Sequence, residues 1–290
     1  MGTYKKIKAM ANAKLNLELD VLNKRDDGYH NISSIFQSVS LADEIIVEVD
    51  TGNNIEVITS GAVIEGENLV KKAAELFLSE IGRTANIKIT LKKQIPLSAG
   101  LGGGSADAAA VLTCLNRSFG DIFPTSKLLD LSLNLGADVP FCLLGGTYLA
   151  EGIGENLTPL PYVGGYDVVL IKHHKKSSTG EMYSRIDNLP IPKISQNSSI
   201  LNKIKSGLHN EQPAISHNSF LYASNDRVEQ KKICNLLIQN GAFLAGLSGS
   251  GPTVFGLFKD LNKNLISTLK QAYSEVWLCK TAPNGIEIFE

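Results

Sequence analysis

The chain has 290 residues, of which 43% are hydrophobic and 20% are charged. This composition is typical of a globular protein and excludes an intrinsically disordered chain. The 28 Lys and Arg residues nearly balance 29 Asp and Glu residues, so the net charge of −1 argues against a general nucleic-acid or anionic-membrane partner. The length indicates two domains of about 150 residues each. Because no apolar run approaches about 20 residues and no apolar block follows the basic start, we expect neither a transmembrane helix nor a secretory signal.

The four cysteines lie in apolar segments, and none is close enough to another for a C-x-x-C motif. Such cysteines are typical of buried, reduced thiols in a cytoplasmic protein rather than of disulfides or metal ligands. They are Cys114, Cys142, Cys234 and Cys279.

The first half of the chain alternates strand and helix patterns. Period-two alternation predicts strands, and apolar spacings of three and four predict helices. The predicted strands are 15–22, 44–50, 54–60 and 86–95, and a strand with a hairpin is predicted over 145–161. The predicted helices are 68–82, 106–120 and 126–136, the last opened by Thr125 or Ser126 as its cap and closed by Gly136.

A Pro/Gly cluster over 159–166 is the candidate domain boundary, which divides the chain into domains 1–162 and 163–290. The predicted elements beyond it are strand 166–172, helices near 199–207, 219–223 and 226–240, a strand–glycine turn–strand over 241–258, helix 264–276 and a final strand near 285–289. Strands and helices mix without a strict βαβ repeat, which favours an α+β fold over a doubly wound sheet.

The most informative segment is PLSAGLGGGSADAAA, which begins at Pro96 and runs directly into a predicted helix. Its four glycines permit positive φ and leave backbone N–H groups open to an anion, and a helix N-terminus adds partial positive charge. The segment therefore predicts a phosphate-binding loop, in which Ser105 can cap the helix or reach a phosphate-bound metal. The predicted phosphate-binding residues are Pro96, Leu97, Ser98, Ala99, Gly100, Leu101, Gly102, Gly103, Gly104, Ser105 and Ala106.

Two other phosphate loops do not fit this segment. A Walker A loop requires a Lys after its glycines, and the dinucleotide fingerprint requires a Gly where Ser105 stands. A sharp turn that binds no ligand is the remaining alternative.

Three segments together resemble the GHMP kinases, the family of galactokinase, homoserine kinase and mevalonate kinase. They are AKLNLELDVLNKRDDGYHNISSIFQSV (13–39), the glycine loop and LSGSGPTVFGLF (247–258), which resembles a glycine turn that packs on the loop. The resemblance implies a two-domain α+β fold. Its N-terminal domain would be ribosomal-protein-S5-domain-2-like, its C-terminal domain ferredoxin-like, and the active cleft would lie between them.

Within that family, RDDGYHNISSIFQ and GADVPFCLLGGTYLAEGIGE (136–155) are similar to enzymes whose substrate carries cytidine diphosphate. The implied reaction moves the γ-phosphoryl group of ATP to the 2-hydroxyl of a cytidine-diphospho-methylerythritol, in the non-mevalonate isoprenoid route. The resemblance makes Asp138 the catalytic base and places Lys14 beside it. Without the resemblance, Asp138 could be a turn cap and Lys14 a solvated surface charge. Mg²⁺ is expected to arrive with ATP, held mainly by phosphates and water.

The resemblance also assigns binding residues. Asn16, Tyr29 and His30 would recognise the cytidine end, Tyr183 would be the second aromatic residue of a sandwich around the base, and Phe36 would line the same pocket. Asn68 and Lys93 would lie near the nucleotide. For each of these residues, ordinary packing or a turn is the alternative.

The chain departs from the family at His173 and His174, where two prolines are usual, and at Ser219 in NSFL, where Asn-Asp is common. The alternatives are a kinase for another small alcohol, of homoserine or mevalonate type, and a non-catalytic nucleotide- or metabolite-binding protein. A decarboxylase variant of the fold is conceivable, but no residue points to it. The expected partner is a small-molecule substrate, and the expected state is a monomer or weak homodimer.

Overall fold

The computed structural model describes residues 4–62, 68–173, 179–189, 200–201, 204 and 212–289. It has two β-sheets with helices packed on them, which confirms the α+β class. The first sheet contains, in spatial order, the strands Ile286–Phe289, Lys5–Lys24, His30–Asp50, Asn86–Lys92 and Asn54–Ser60; Thr147–Gly152 also pairs with His30–Asp50, and Asn156–Pro159 pairs with Thr147–Gly152. The second sheet contains, in spatial order, Val276–Lys280, Asp167–Lys172, Thr253–Phe258, Leu244–Leu247 and Ala214–Ile215.

Two long antiparallel strands, β1 (Lys5–Lys24) and β2 (His30–Asp50), form the centre of the first sheet. The predicted strands 15–22 and 44–50 are only the ends of these elements. Residues 11–21 of β1 are buried without interruption, and the pairing shifts register at Asn12/Ala13 and Asn16/Glu18. Every second residue of this buried run is polar, so apolar and polar residues still alternate from Ala11 to Val21, and the pattern could have extended the predicted strand back to Ala11. In β2 the pairs Ser33-Ser34 and Ile35-Phe36 interrupt the alternation.

The remaining elements of the first half follow in chain order. They are β3 (Asn54–Ser60), α1 (Leu69–Ile81), β4 (Asn86–Lys92), α2 (Gly103–Ser118), α3 (Thr125–Leu133), α4 (Val139–Leu144), β5 (Thr147–Gly152) and β6 (Asn156–Pro159). Helix α2 packs on β1, β2 and α1, which places the glycine loop between the first sheet and its helical layer.

Several element boundaries differ from the predictions, and one helix was missed. Helix α2 begins at Gly103 rather than 106, because Gly102 is already its N-cap. Helix α3 has Pro124 as its N-cap without a side-chain cap bond and ends before Asn134, so neither Thr125 nor Ser126 caps it and Gly136 does not close it. Helix α4 was not predicted, because six residues are too few to show a period.

The second half contains β7 (Asp167–Lys172), α5 (Thr179–Asp187), β8 (Ala214–Ile215), α6 (Ser219–Ala223), α7 (Arg227–Gln239), β9 (Leu244–Leu247), β10 (Thr253–Phe258), α8 (Asn264–Ala272), β11 (Val276–Lys280) and β12 (Ile286–Phe289). Helix α8 is shorter than predicted because Tyr273 is extended, and β11 follows it. Most of the predicted helix 199–207 lies outside the described residues.

The C-terminal strand β12 pairs antiparallel with β1, so the chain ends in the first sheet. The first sheet therefore contains strands from both sides of residue 162. The division into domains 1–162 and 163–290 stays a prediction. All four cysteines are buried and free, as predicted. Within the described residues, no helix is long and apolar enough to cross a membrane.

Candidate active site

The glycine loop between β4 and α2 lies directly against the glycine turn between β9 and β10. The Ser248 hydroxyl donates to the Gly100 carbonyl at 2.8 Å and accepts from the Asn16 backbone N–H at 3.3 Å. Gly100 has φ +74, and a Cβ there would overlap the Ser248 carbonyl oxygen and lie 3.0 Å from the Gly251 carbonyl oxygen. Only a glycine combines this dihedral with this approach. The contact confirms the predicted packing of the two glycine segments.

Lys14 lies under the loop at the start of helix α2. Its backbone N–H donates to the Leu101 carbonyl at 2.9 Å, and a Cβ on Gly102 would be 2.8 Å from the Lys14 Cγ. The Lys14 ammonium is 3.2 Å from Asp138 Oδ2 and donates to Asn16 Oδ1 at 2.9 Å. It also lies 4.5 Å from the centroid of the Phe36 ring. The structure thus brings four predicted residues together: the Lys14 cation, the Asp138 anion, the Asn16 amide and the Phe36 ring.

Asp138 and Asn16 differ in how they are held. Asp138 is the N-cap residue of α4, but its side chain makes no cap hydrogen bond, so it is not the turn cap that was the alternative. Its side chain is 32% exposed, whereas that of Lys14 is 6% exposed, so the carboxylate faces the cleft. Asn16 donates to the Ser34 hydroxyl at 2.9 Å and accepts from Gly249 N–H at 2.9 Å. Those bonds fix the amide whose oxygen accepts the hydrogen bond from the Lys14 ammonium.

Lys93 is the centre of a buried charge cluster beneath the loop. Its ammonium pairs with Asp43 and, at 2.6 Å, with Asp107. Asp43 also accepts from the backbone N–H groups of Gln94 and Ile95. Burial, with a further contribution from the Asp43 charge, raises the pKa of Asp107 to about 8. The pKa of Lys93 is raised, because its two carboxylates outweigh the opposing effect of burial. This predicted nucleotide residue therefore has two protein partners that hold the start of the loop.

A second cluster surrounds His30 at the other end of the cleft. The Tyr183 ring stacks on the imidazole with centroids 4.6 Å apart and planes 12° apart. Asp187 Oδ1 is 2.7 Å from His30 Nε2. Burial, with a smaller effect of the Asp138 charge, raises the pKa of Tyr183 to about 12. Tyr29 is 61% exposed at the edge of the cleft, and its backbone N–H donates to Asp27. Tyr183 is thus packed on His30 in this structure.

A cleft of about 720 Å³ joins the two clusters. Its lining contains Tyr29, His30 and Tyr183 at one end, the glycine loop at the other, and Lys14 and Asp138. Of the predicted site residues, only Asn68 and Ala106 do not line it. Asn68 is the N-cap of α1, where its Oδ1 accepts from Val70 N–H at 3.1 Å, and Ala106 is fully buried in α2.

Sequence reasoning missed five polar residues of the site. They are Ser34, Asp43, Asp107, Asp187 and Ser248. Ser248 stands inside a motif that was recognised, and Asp187 follows Tyr183 by one helical turn, so spacing could have found both. The position of Asp107 early in the predicted helix indicated only a favourable interaction with the helix dipole, and Asp43 carries no local signal, because the tertiary fold alone brings both to Lys93.

The three departures from the family pattern have different outcomes. The Ser219 hydroxyl accepts from Val21 N–H at 2.9 Å and is buried, so it joins α6 to β1. His173 makes an edge contact with Tyr273, with centroids 6.1 Å apart, away from the cleft lining. His174 lies outside the described residues.

Comparison with known proteins gives a consistent result. Residues 68–146 match the GHMP kinases N terminal domain, and residues 228–275 match GHMP kinases C terminal. The chain is 38% identical to 4-diphosphocytidyl-2-C-methyl-D-erythritol kinase of Thermoanaerobacter pseudethanolicus, with 99% of this chain and 100% of the relative covered. It is 39% identical to the enzyme of the same name from Clostridium kluyveri, covering 93% and 98% of the two chains.

Solved structures agree with these relatives. A crystal structure of 4-(cytidine 5'-diphospho)-2C-methyl-D-erythritol kinase superposes with a TM-score of 0.78 at 33% identity, covering 95% of this chain and 99% of the other. Homoserine kinase from Cytophaga hutchinsonii gives a TM-score of 0.72 at 19% identity, covering 98% and 97%, and shares the fold.

The close approach of the two glycine segments predicts the effect of a single methyl group. We expect Gly100→Ala to push the loop away from Ser248 and to weaken ATP binding at least about tenfold, since mispositioned N–H groups lose charge-assisted hydrogen bonds. Gly120→Ala is the matched control: Gly120 also has positive φ, +91, but open space around its Cβ position. Calorimetric titration with ATP measures both variants, and equal binding by both would contradict the prediction.

The Lys93 cluster predicts a pH effect on stability. The folded-state pKa of Asp107 is raised from 3.8 to about 8, so the native protein binds more protons than the unfolded chain between these values. Its stability must therefore fall as pH rises through that window. We expect Asp107→Asn to flatten this fall in urea unfolding measured from pH 4 to pH 8.

The exposed variant Asp121→Asn is the control, because its partner Arg117 lies on the surface. It should keep the wild-type slope. An Asp107→Asn slope equal to that of the wild type would show that the Asp107 carboxyl is ionised throughout the window.

Proposed function

The chain belongs to the GHMP kinase family, and on this premise we propose that it phosphorylates the 2-hydroxyl of 4-diphosphocytidyl-2-C-methyl-D-erythritol with ATP. This would place it in the non-mevalonate route to isoprenoid precursors. The observation that carries the proposal is the contact between Lys14 and Asp138, 3.2 Å apart, in the same cleft as the glycine loop.

In the proposed mechanism, Asp138 accepts the proton of the substrate hydroxyl as its oxygen attacks the γ-phosphorus and the bond to ADP breaks. Lys14 keeps Asp138 oriented and offsets negative charge near the acceptor oxygen. Asn16 and the Phe36 ring hold the Lys14 ammonium in place. The backbone N–H groups of the glycine loop bind the triphosphate.

Mg²⁺ neutralises charge on the phosphates when it is bound with ATP. In the described residues, no group of three His, Cys, Asp or Glu side chains could hold a metal ion. The donor that fits a phosphate-bound metal is the Ser105 hydroxyl, since Ser105 lines the cleft in the first turn of α2. We assign Ser105 this role.

We further propose that Tyr29 and His30 bind the cytosine ring, with Tyr183 behind His30. The exposed position of Tyr29 on the cleft edge supports a stacking role, because a residue needed only for packing would be buried. Lys93 would support the loop from below. We also propose that the protein works in the cytoplasm as a monomer or weak homodimer and binds no nucleic acid.

The proposed function is tested by ADP release with the cytidine substrate, homoserine, mevalonate and galactose. We expect turnover with the cytidine substrate alone. Turnover with homoserine or mevalonate would identify a different GHMP kinase, and ATP binding without turnover of any alcohol would identify a non-catalytic nucleotide-binding protein.

Replacing the proposed base tests the mechanism. Asp138→Asn keeps the shape of the side chain but removes the proton acceptor, so we expect kcat to fall about 10²- to 10⁴-fold with little change in ATP binding. Steady-state kinetics and ATP titration measure the two effects. Near-normal turnover would transfer the proton-accepting role to a γ-phosphate oxygen.

The cytidine site gives a separate prediction. Tyr29→Ala should remove one stacking partner and raise KM for the cytidine substrate about 5- to 150-fold, which corresponds to roughly 1–3 kcal/mol of base stacking. KM for ATP should not change, and Tyr29→Phe, which keeps the ring, should have a small effect. A lower melting temperature with unchanged KM would mean that Tyr29 only packs.

A further inference from the structure

Two residues of helix α5 hold the same imidazole ring from two sides. Tyr183 and Asp187 are one helical turn apart and therefore project from one face of the helix. Tyr183 stacks on the face of the His30 ring, and Asp187 Oδ1 lies 2.7 Å from its Nε2 edge. The His30 side chain is 4% exposed, so these contacts determine how the ring is oriented.

The Asp187 carboxylate is stabilised in its ionised form. The hydrogen bond with His30 is the main cause that lowers the pKa of Asp187, and the Lys24 ammonium 3.4 Å from its second oxygen lowers it further. An ionised carboxylate can only accept a hydrogen bond. His30 Nε2 must therefore carry the proton in this pair.

In a neutral imidazole, protonation of Nε2 leaves Nδ1 as a hydrogen-bond acceptor. None of the described residues forms a hydrogen bond with His30 Nδ1, and His30 lines the cleft. His30 Nδ1 is therefore the ring nitrogen available to a ligand, and as an acceptor it would pair with a hydrogen-bond donor of that ligand.

We propose that Asp187 is a positioning residue that sets the tautomer of His30 and thereby selects cytosine over uracil. The inference rests on the proposed function, in which His30 binds the base. Cytosine presents an exocyclic amino group, whereas uracil presents a carbonyl oxygen at that position. An acceptor at Nδ1 pairs with the amino group and faces the lone pairs of the carbonyl, so the uracil substrate leaves two acceptors unpaired.

The experiment compares the cytidine substrate with its uridine-diphospho analogue. We expect the wild-type enzyme to prefer the cytidine substrate about 10- to 100-fold in kcat/KM, in the range of one well-placed base contact. Asp187→Ala frees the ring to adopt either tautomer, so KM for the cytidine substrate should rise about tenfold and the preference should fall below about threefold. The kcat at saturation and KM for ATP should stay unchanged.

Two further variants keep the test decisive. Asp187→Asn preserves the volume of the side chain, but the new amide can either accept a hydrogen bond from Nε2 or donate one to it. The preference of this variant for the cytidine substrate should therefore lie between those of the wild type and Asp187→Ala. Glu181→Gln removes another carboxylate from the exposed side of α5 and should leave the preference at the wild-type value. A role limited to packing would lower the melting temperature and raise KM for both substrates equally.

Nitrogen-15 NMR of the imidazole groups tests the tautomer directly in the ligand-free protein. With five histidines in the chain, the His30 signals are assigned by their loss in His30→Gln. We expect protonated Nε2 and unprotonated Nδ1 in the wild type and a tautomer mixture in Asp187→Ala.

A protonated Nδ1 in the wild type, or a wild-type preference in Asp187→Ala, would overturn the inference while the proposed function stands. Failure of the wild type to phosphorylate the cytidine substrate would overturn the proposed function and the base selection with it. The NMR result would then still decide whether Asp187 sets the ring.

Discussion

The close contact between the two glycine segments is the constraint on which the site depends. The loop at Gly100 belongs to the junction of β4 and α2, and the turn at Ser248 connects two strands of the second sheet. Backbone atoms meet here without side chains between them, so the two sheets have a fixed relative position at this point. Asn16 extends the junction, because its backbone and side chain both bind the same turn. The glycine loop and the pair proposed as catalytic, Lys14 and Asp138, are therefore positioned by one set of contacts.

The register shifts of β1 lie on both sides of Lys14, the lysine that we propose acts in catalysis. Lys14 and Asn16 lie two residues apart and face the same side, between the register shifts at Asn12/Ala13 and Asn16/Glu18. Regular pairing on both sides of this short stretch keeps the strand in the sheet. The bulges turn the stretch toward the glycine loop, and Ser34 on β2 fixes the amide of Asn16. A buried ammonium is then provided with hydrogen-bond partners and a counter-ion, as burial of a charge requires.

The residues proposed to bind or react were more predictable from the sequence than the residues that hold them in place. The glycine loop followed from composition and position, and the roles of Lys14, Asp138 and His30 followed from the family resemblance; the structure brings these residues to one cleft. The strand 54–60 was predicted with its observed ends because one face is exposed and alternation survives. The prediction of β1 began only at residue 15, although the alternation of apolar and polar residues continues back to Ala11. The pairing of Asp43 and Asp107 with Lys93 could not be found, because ion pairs between residues distant in sequence leave no local pattern.

The charges of the cleft support the proposal that backbone groups bind the triphosphate. Among the described residues that line it, Lys14, Lys24 and Lys93 are the lysines, and each is paired with a carboxylate. Lys93 is the most strongly held of the three, since two Asp side chains, Asp43 and Asp107, contact its ammonium. Few of these cations are free to neutralise a triphosphate, so N–H groups of the loop and the dipole of α2 must contribute much of the attraction. Such groups act only at short range and in one direction, which is why a loop held by close backbone contacts, rather than a surface of lysines, suits this cleft.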